Sequence, residues 1–232
     1  MKDFIYPTIL QDNFFDDPDD IVEFAKLQTY TPEPDGFWPG SRASIVLQQQ
    51  GDNTYTKFTR HVMDRMKEIG RFAVPPPEYQ SGNLNLQVQI HFQTVNPLNP
   101  DPQHILNRGF VHHDHAEVGP GGPVIQMTGI VFLNPKVSTS CGTTIYQASA
   151  PADEIYTATD LKYHVNKTGQ LPPHPQAHTQ LIQHYEQFEE TLMVKPVYNR
   201  LVSFDSRLWH GATCLHTGTA EPRLTMVVFV AM

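Results

Sequence analysis

The stretch LNLQVQIHFQTV, residues 84–95, alternates Leu84, Leu86, Val88, Ile90 and Phe92 with polar neighbours. A period of two sends successive side chains to opposite faces, so this segment reads as a strand with one face on a core. Short strand patterns dominate the chain from here on. Gly109 to His113 reads as a further short strand, QMTGIVFLNP (126–135) is a mostly apolar run, and GTTIYQ (142–147) resumes after a turn. The tail supplies NRLVSFD (199–205), LWHGATCL (208–215) and RLTMVVFVAM (223–232), rich in β-branched residues and separated by turn formers. One helix, about Gln176 to Leu192, is expected between them.

Upstream the period changes. From Asp17 to Tyr30, Ile21, Phe24, Ala25 and Leu27 fall at roughly helical spacing, and acids crowd the first turn, where the helix dipole favours them. A Pro- and Gly-rich loop, TPEPDGFWPGSRA (31–43), follows. A second helix is expected over about Thr56 to Phe72, with Phe58, Val62, Met66 and Ile69 on one face, ended by Pro75-Pro76-Pro77. Two leading helices followed by many strands predict an α+β, mainly β chain with a β-sandwich or double-stranded β-helix (jelly-roll) core. The expected organisation is one domain, 1–232, with 1–80 as helical support and 81–232 as the β-core.

Composition narrows the function classes. At 232 residues and 39% hydrophobic content the chain can bury a real core, and 20 prolines with 14 glycines favour a turn-rich β architecture. No apolar run approaches the ~20 residues that span a bilayer. The N-terminus lacks a signal peptide's cationic start and unbroken apolar stretch, so a cytosolic protein without membrane association is expected. The net charge of -8, from 24 acids against 16 bases, makes nucleic acid an unexpected partner. Cys141 and Cys214 are expected reduced.

Residues 110–117 read FVHHDHAE. Imidazole and carboxylate together suit Fe(II), and on an extended strand residues i and i+2 point the same way, so His112 and Asp114 can converge on one ion while His113 faces away. A short His-rich tract is by itself more often a surface loop or an incidental zinc site. His113 with His115 and His115 with Glu117 have the same spacing, and spacing alone separates them little from His112 with Asp114. A third ligand must come from elsewhere, and His210 in DSRLWHGA is the best candidate. Two histidines and one carboxylate on one face of an octahedron leave three positions open. Arg223, thirteen residues beyond His210, opens the last strand and could pair with a carboxylate in bidentate fashion, with Thr225 on the same side of that strand.

Taken together, FVHHDHAE, GIVFLNP, GTTIY, NRLVSFDSRLWHG and EPRLTMVVFV resemble the 2-oxoglutarate/Fe(II)-dependent oxygenases of the prolyl-4-hydroxylase-like group, over roughly residues 84–232. The resemblance implies a double-stranded β-helix with the site in its open mouth. It implies His112, Asp114 and His210 as iron ligands and Arg223, helped by Thr225, as the anchor for the distal carboxylate of 2-oxoglutarate. It further implies hydroxylation of a C–H bond by O2, with succinate and CO2 as co-products, on a small-molecule or peptide substrate. Gln89, His91 and Tyr146 are candidates for the near end of 2-oxoglutarate by strand position. GTTIY has one glycine where relatives often have two, and the carboxylate at 114 argues against halogenation. The main alternative is a cupin-like metal protein or an oxo-acid-independent dioxygenase. A non-catalytic jelly-roll binding module is a third reading.

Expectations for the rest of the chain are less sharp. Arg42 either reaches an anionic group from a loop folded over the mouth, or pairs with a sheet-edge carbonyl while Trp38 anchors the loop. Pro151–Pro175, long and polar, is expected to be a mobile lid. His164, His174, His178 and His184 are expected to face solvent, and Trp209 and Cys214 to pack in the sheet.

Overall fold

The computed structural model describes residues 4–45, 58, 65 and 87–231. The helix expected over Thr56–Phe72 lies outside them except for Phe58 and Arg65. Among the described residues the strands are β1 (Ile9–Gln11), β2 (Thr31–Pro32), β3 (Ser41–Ile45), β4 (Gln87–Val95), β5 (Ile125–Phe132), β6 (Thr143–Ala148), β7 (Phe188–Val194), β8 (Leu201–Asp205), β9 (Trp209–Ala212) and β10 (Arg223–Ala231). The α-helices are α1 (Pro18–Lys26), α2 (Thr159–Thr168) and α3 (Ala177–Glu186). A seven-stranded antiparallel sheet has the order β1-β8-β5-β10-β4-β3-β2, and a three-stranded one the order β7-β6-β9. This is the mainly β, jelly-roll arrangement that the strand patterns predict.

The period-two pattern of the strands decides what faces what. In β4, Ile90 and Phe92 join the main core cluster, whereas Gln89, His91 and Gln93 turn to a cavity between the sheets. In β10, Met226, Val228 and Val230 face the core and Arg223, Thr225, Val227 and Phe229 the cavity. The core side of the large sheet is covered by α1, whose Ile21, Val22, Phe24 and Ala25 are buried. The Asp17 carboxylate caps that helix by accepting from Asp20 N at 3.3 Å, and Pro18 occupies its first turn. A smaller cluster, Phe132, Ile145, Val194, Val202 and Phe204, joins the two sheets.

Four local expectations change. Ser41–Ile45, read as the end of a loop, is a strand paired with β4, so the N-terminal segment adds strands as well as a helix to the fold. Helix α3 stops at Glu186, not Leu192. Residues 188–194 instead form an edge strand against β6, because ladder pairing outweighs the helix propensity of Glu189, Glu190, Leu192 and Met193. The segment Pro151–Pro175 contains α2, whose Leu161 and Val165 are buried in a third cluster with α3. Gly109–His113 forms an isolated bridge at His112 rather than a regular strand. Among the described residues no helix is long and apolar enough to cross a membrane.

Candidate active site

Backbone pairing explains why two histidines nearly a hundred residues apart meet. Gly109 N donates to Ala212 O at 2.9 Å. His112 N donates to His210 O at 2.9 Å, and His210 N returns a bond to His112 O at 2.8 Å. The 109–112 segment therefore extends the small sheet beyond β9, and His112 and His210 sit directly opposite one another. Their rings lie side by side with centroids 4.5 Å apart. Glycines permit the approach: a Cβ at Gly109 would stand 2.8 Å from Ala212 N. Two residues on, Asp114 N donates to Ser206 O at 2.9 Å, which directs its carboxylate to the same side.

The three side chains converge. His112 Nε2 is 3.5 Å from Asp114 Oδ1, and His210 Nε2 is 3.2 Å from Asp114 Oδ2. Among the described residues this is the group whose potential ligand atoms all lie within 4.8 Å of one another. Transition metals bind such atoms at about 2.0–2.2 Å, which spaces neighbouring ligands by roughly 3 Å. Each imidazole is also set in the correct tautomer. His112 Nδ1 is 2.8 Å from Phe110 O and His210 Nδ1 is 3.0 Å from Leu208 O. A carbonyl only accepts, so Nδ1 donates in both rings, and each Nε2 is left facing Asp114 as the atom that would ligate a metal. Burial pushes the His112 pKa well below the usual imidazole value, which favours the neutral form a metal requires. For Asp114, burial acts to raise the pKa, but His210, His112 and a 2.8 Å bond from Thr128 Oγ1 outweigh it and hold the carboxyl ionised.

The competing pairs do not converge. His115 Nδ1 turns to Ile125 O at 3.1 Å, Glu117 Oε2 accepts from Gly121 N, and the His113 ring packs edge-on against Trp209 at 5.0 Å. Of the residues considered for the near end of 2-oxoglutarate, Gln89 and His91 line the cavity. Tyr146 does not: it is buried in the cluster around α2 and α3, its ring packed on Phe188. His184 is a further correction. It is wholly buried rather than solvent-facing, accepting from Val111 N through Nε2 at 3.1 Å, with Nδ1 at 3.1 Å from Tyr156 O. It thereby fixes the backbone next to His112. A helix-face reading of Leu181, His184 and Tyr185 could have exposed that role.

The cavity, about 530 Å³, is lined by the triad and by Arg223, Thr225, Thr128 and Thr143, among others. Arg223 is 7% exposed, and among the described residues it meets Cys141, through a long 3.5 Å contact from Nε to the carbonyl and through the thiol. Among the described residues no carboxylate pairs with it. The hydroxyls of Thr225 and Thr143 are likewise buried without a partner. A buried guanidinium with free donors beside two orphaned hydroxyls is the environment an incoming carboxylate would satisfy. Thr143 did not emerge from the sequence as a site residue, since GTTIY reads only as a turn and a strand.

Comparison with known proteins agrees with this picture at the level of fold. Residues 112–230 match a family described as "Family of unknown function (DUF6445)". No curated protein matches in sequence. Among solved structures, a prolyl-4-hydroxylase from Pseudomonas putida superposes with a TM-score of 0.53 at 12% identity, over 97% of this chain and 92% of that one. The non-haem α-ketoglutarate-dependent carbocyclase SnoK of nogalamycin biosynthesis gives 0.55 at 12% identity, over 97% and 79%. A 2OG-Fe(II) oxygenase family protein from Burkholderia pseudomallei gives 0.53 at 9% identity, over 97% and 84%. The jelly-roll scaffold is thus shared with proteins whose sequences have diverged almost completely.

Proposed function

We propose that this chain, which belongs to the DUF6445 family, is an Fe(II)- and 2-oxoglutarate-dependent oxygenase. The observation that carries the reading is the pairing of a convergent His112–Asp114–His210 triad with a buried, counterion-free Arg223 in one cavity. Two imidazoles and one carboxylate with open positions suit non-haem Fe(II). When bound, iron, 2-oxoglutarate and O2 supply the oxidation of a substrate C–H bond, with succinate and CO2 as co-products.

The chain's own residues prepare that chemistry. Phe110 O and Leu208 O orient the two imidazoles, and Thr128 fixes the carboxylate. Arg223 takes the distal carboxylate of 2-oxoglutarate, with the hydroxyls of Thr225 and Thr143 as helpers, and so sets the position of the other end against the triad. Gln89 and His91, on the cavity face of β4, are the candidates for contact with that other end.

Anaerobic titration with Fe(II) and then 2-oxoglutarate tests the proposal. The weak visible charge-transfer band of the chelate should appear with the wild type and vanish in Asp114→Ala. A wild type that binds Fe(II) yet never develops the band would overturn it. The alternative, a cupin-like metal protein, gives Arg223 no task and leaves its unpaired burial without a reason.

A further inference from the structure

Beyond the triad the cavity reaches an outer wall built from α2 and the loop before β3. Helix α2 turns Lys162, Tyr163 and Asn166 to the cavity while Leu161 and Val165 go to the core. The loop is docked closely on it. Asn166 Nδ2 donates to Gly36 O at 2.9 Å, and the Phe37 ring meets Tyr163 edge-on at 5.0 Å. Gly36 has φ +81°, and a Cβ there would lie 2.1 Å from Tyr163 O. Within the segment expected to be a mobile lid, α2 is therefore packed against the loop before β3.

This wall carries two cations. Arg42, on β3, spends Nε and one Nη on a single neutral acceptor, Gln93 Oε1, at 3.2 and 3.1 Å, and its guanidinium lies 4.2 Å over the Trp38 ring. Among the described residues it is thus bound neither to a sheet-edge carbonyl nor to a carboxylate. The Lys162 ammonium has neither a hydrogen bond nor an ion pair among the described residues. Burial lowers both groups, Arg42 to about 10, and the Asp114 charge opposes that shift in each, which places both within the field of the metal site. Arg42 remains charged at neutral pH. The remaining cavity cation, Arg108, is engaged elsewhere, over the Tyr185 ring at 4.3 Å and 3.9 Å from Glu190.

Charge balance then points to the missing partner. On the oxygenase reading, the two charges of Fe(II) and that of Arg223 offset Asp114 and the two carboxylates of 2-oxoglutarate. Lys162 and Arg42, both half-buried, are left without a hydrogen-bonded carboxylate among the described residues, Glu33 and Asp114 acting on Arg42 only through space, and an incoming anion would offset the cost of their partial burial. We propose, resting on that reading, that the substrate is a small molecule bearing an oxyanion, a carboxylate or phosphate, held between Lys162 and Arg42. The cavity's size is in the range of small-molecule sites.

The test uses full-length protein, anaerobic, with Fe(II) and saturating 2-oxoglutarate so that Arg223 is occupied. Probes are benzoate, hexanoate and N-acetylglycine, each against its amide, and phenyl phosphate against phenol, read by thermal shift and by perturbation of the charge-transfer band. At least one acid should bind where its neutral analogue does not, and the carboxylate and phosphate arms distinguish the two sources of charge. Lys162→Gln and Arg42→Gln should each weaken that acid about tenfold or more, the scale of one charge-assisted hydrogen bond, while Lys162→Arg retains it. Acids and amides binding alike, no acid binding, or wild-type affinity in Lys162→Gln would overturn the proposal. An unchanged chelate band in Lys162→Gln shows that the variant is folded and loaded. If the wild type itself gave no band, the oxygenase reading would fail. The acid-over-amide preference, expected to disappear in Lys162→Gln but persist in Arg223→Leu, would still decide on the cation pair.

Discussion

Replacing Arg223 by leucine should leave the ligand-free protein no less stable and at the same time remove its response to 2-oxoglutarate. In the ligand-free state the guanidinium is 7% exposed and makes one 3.5 Å contact to Cys141 O, with its face 5.8 Å from Phe132. That leaves a cation desolvated with little in return, and exchanging such a group for an apolar one is often neutral or favourable by about 1–4 kcal/mol. Some packing on Phe132 is lost, so a change of about 0 to +2 kcal/mol is expected. For a chain of this length each kcal/mol moves the melting midpoint by about 2–4 °C, so the Tm of Arg223→Leu should equal the wild type or exceed it by up to about 8 °C. With 2-oxoglutarate the order reverses. A bidentate pair comprises two hydrogen bonds to charged groups, each about 1.5–3 kcal/mol, and losing both weakens the co-substrate by two orders of magnitude or more. Differential scanning calorimetry with and without 2-oxoglutarate, at fixed Fe(II), measures both halves. A variant that melts well below the wild type when ligand-free, yet titrates with 2-oxoglutarate within threefold of it, would refute the assignment of Arg223 as the anchor.

Three further predictions follow from the same geometry. Asp114→Ala should abolish Fe(II) binding measured by equilibrium dialysis, because the remaining imidazoles supply two ligands and no charge. Thr128→Val removes the hydroxyl 2.8 Å from Asp114 Oδ2 and should weaken Fe(II) about 10- to 100-fold without unfolding the protein, as judged by circular dichroism. His184 is buried with its pKa lowered, first by burial, so the unfolded chain takes up a proton there that the folded one resists. Stability from this group is present above the unfolded value near 6.5 and is lost as pH falls from there through the lowered folded value. His184→Gln should flatten the decline of Tm between pH 6.5 and 5, and an unchanged slope would refute the buried-neutral assignment.

The strand patterns were legible because alternation is a direct imprint of a sheet with one face on the core. Val88, Ile90 and Phe92 record the core side of β4, and the polar residues between them turn out to record the cavity side. The His112 and Asp114 pair was legible for the same reason, since i and i+2 share a face. What the spacing left open was which of the overlapping pairs in 112–117 meets His210, because that is settled by the backbone ladder between residues 109–112 and β9. Register between distant segments leaves no local trace in composition or period. The same limit hid Thr143, whose neighbour Thr144 has an identical side chain on the opposite face and bonds to Thr213 instead. Where local preference and pairing conflict, as in Glu189 to Met193, the ladder to β6 prevailed, and where a helix was embedded in polar sequence, as α2 is, only Leu161 and Val165 marked its buried side.

The buried Arg223 separates the three readings of the chain more sharply than the triad does. A cluster of two imidazoles and a carboxylate would serve a zinc protein or a metal-dependent dioxygenase equally well. A non-catalytic binding module would need neither the oriented imidazoles nor the Thr128 support. Arg223, by contrast, is buried without a carboxylate partner among the described residues, and on the proposed reading an anion that pairs with it, near Thr225 and Thr143, would lie in the cavity that the triad also borders. A dicarboxylic co-substrate reaching from Arg223 to the metal meets both needs with one molecule, whereas a metal-only protein must explain the triad and the cation separately. The economy of that single ligand is the physical ground for preferring the 2-oxoglutarate reading.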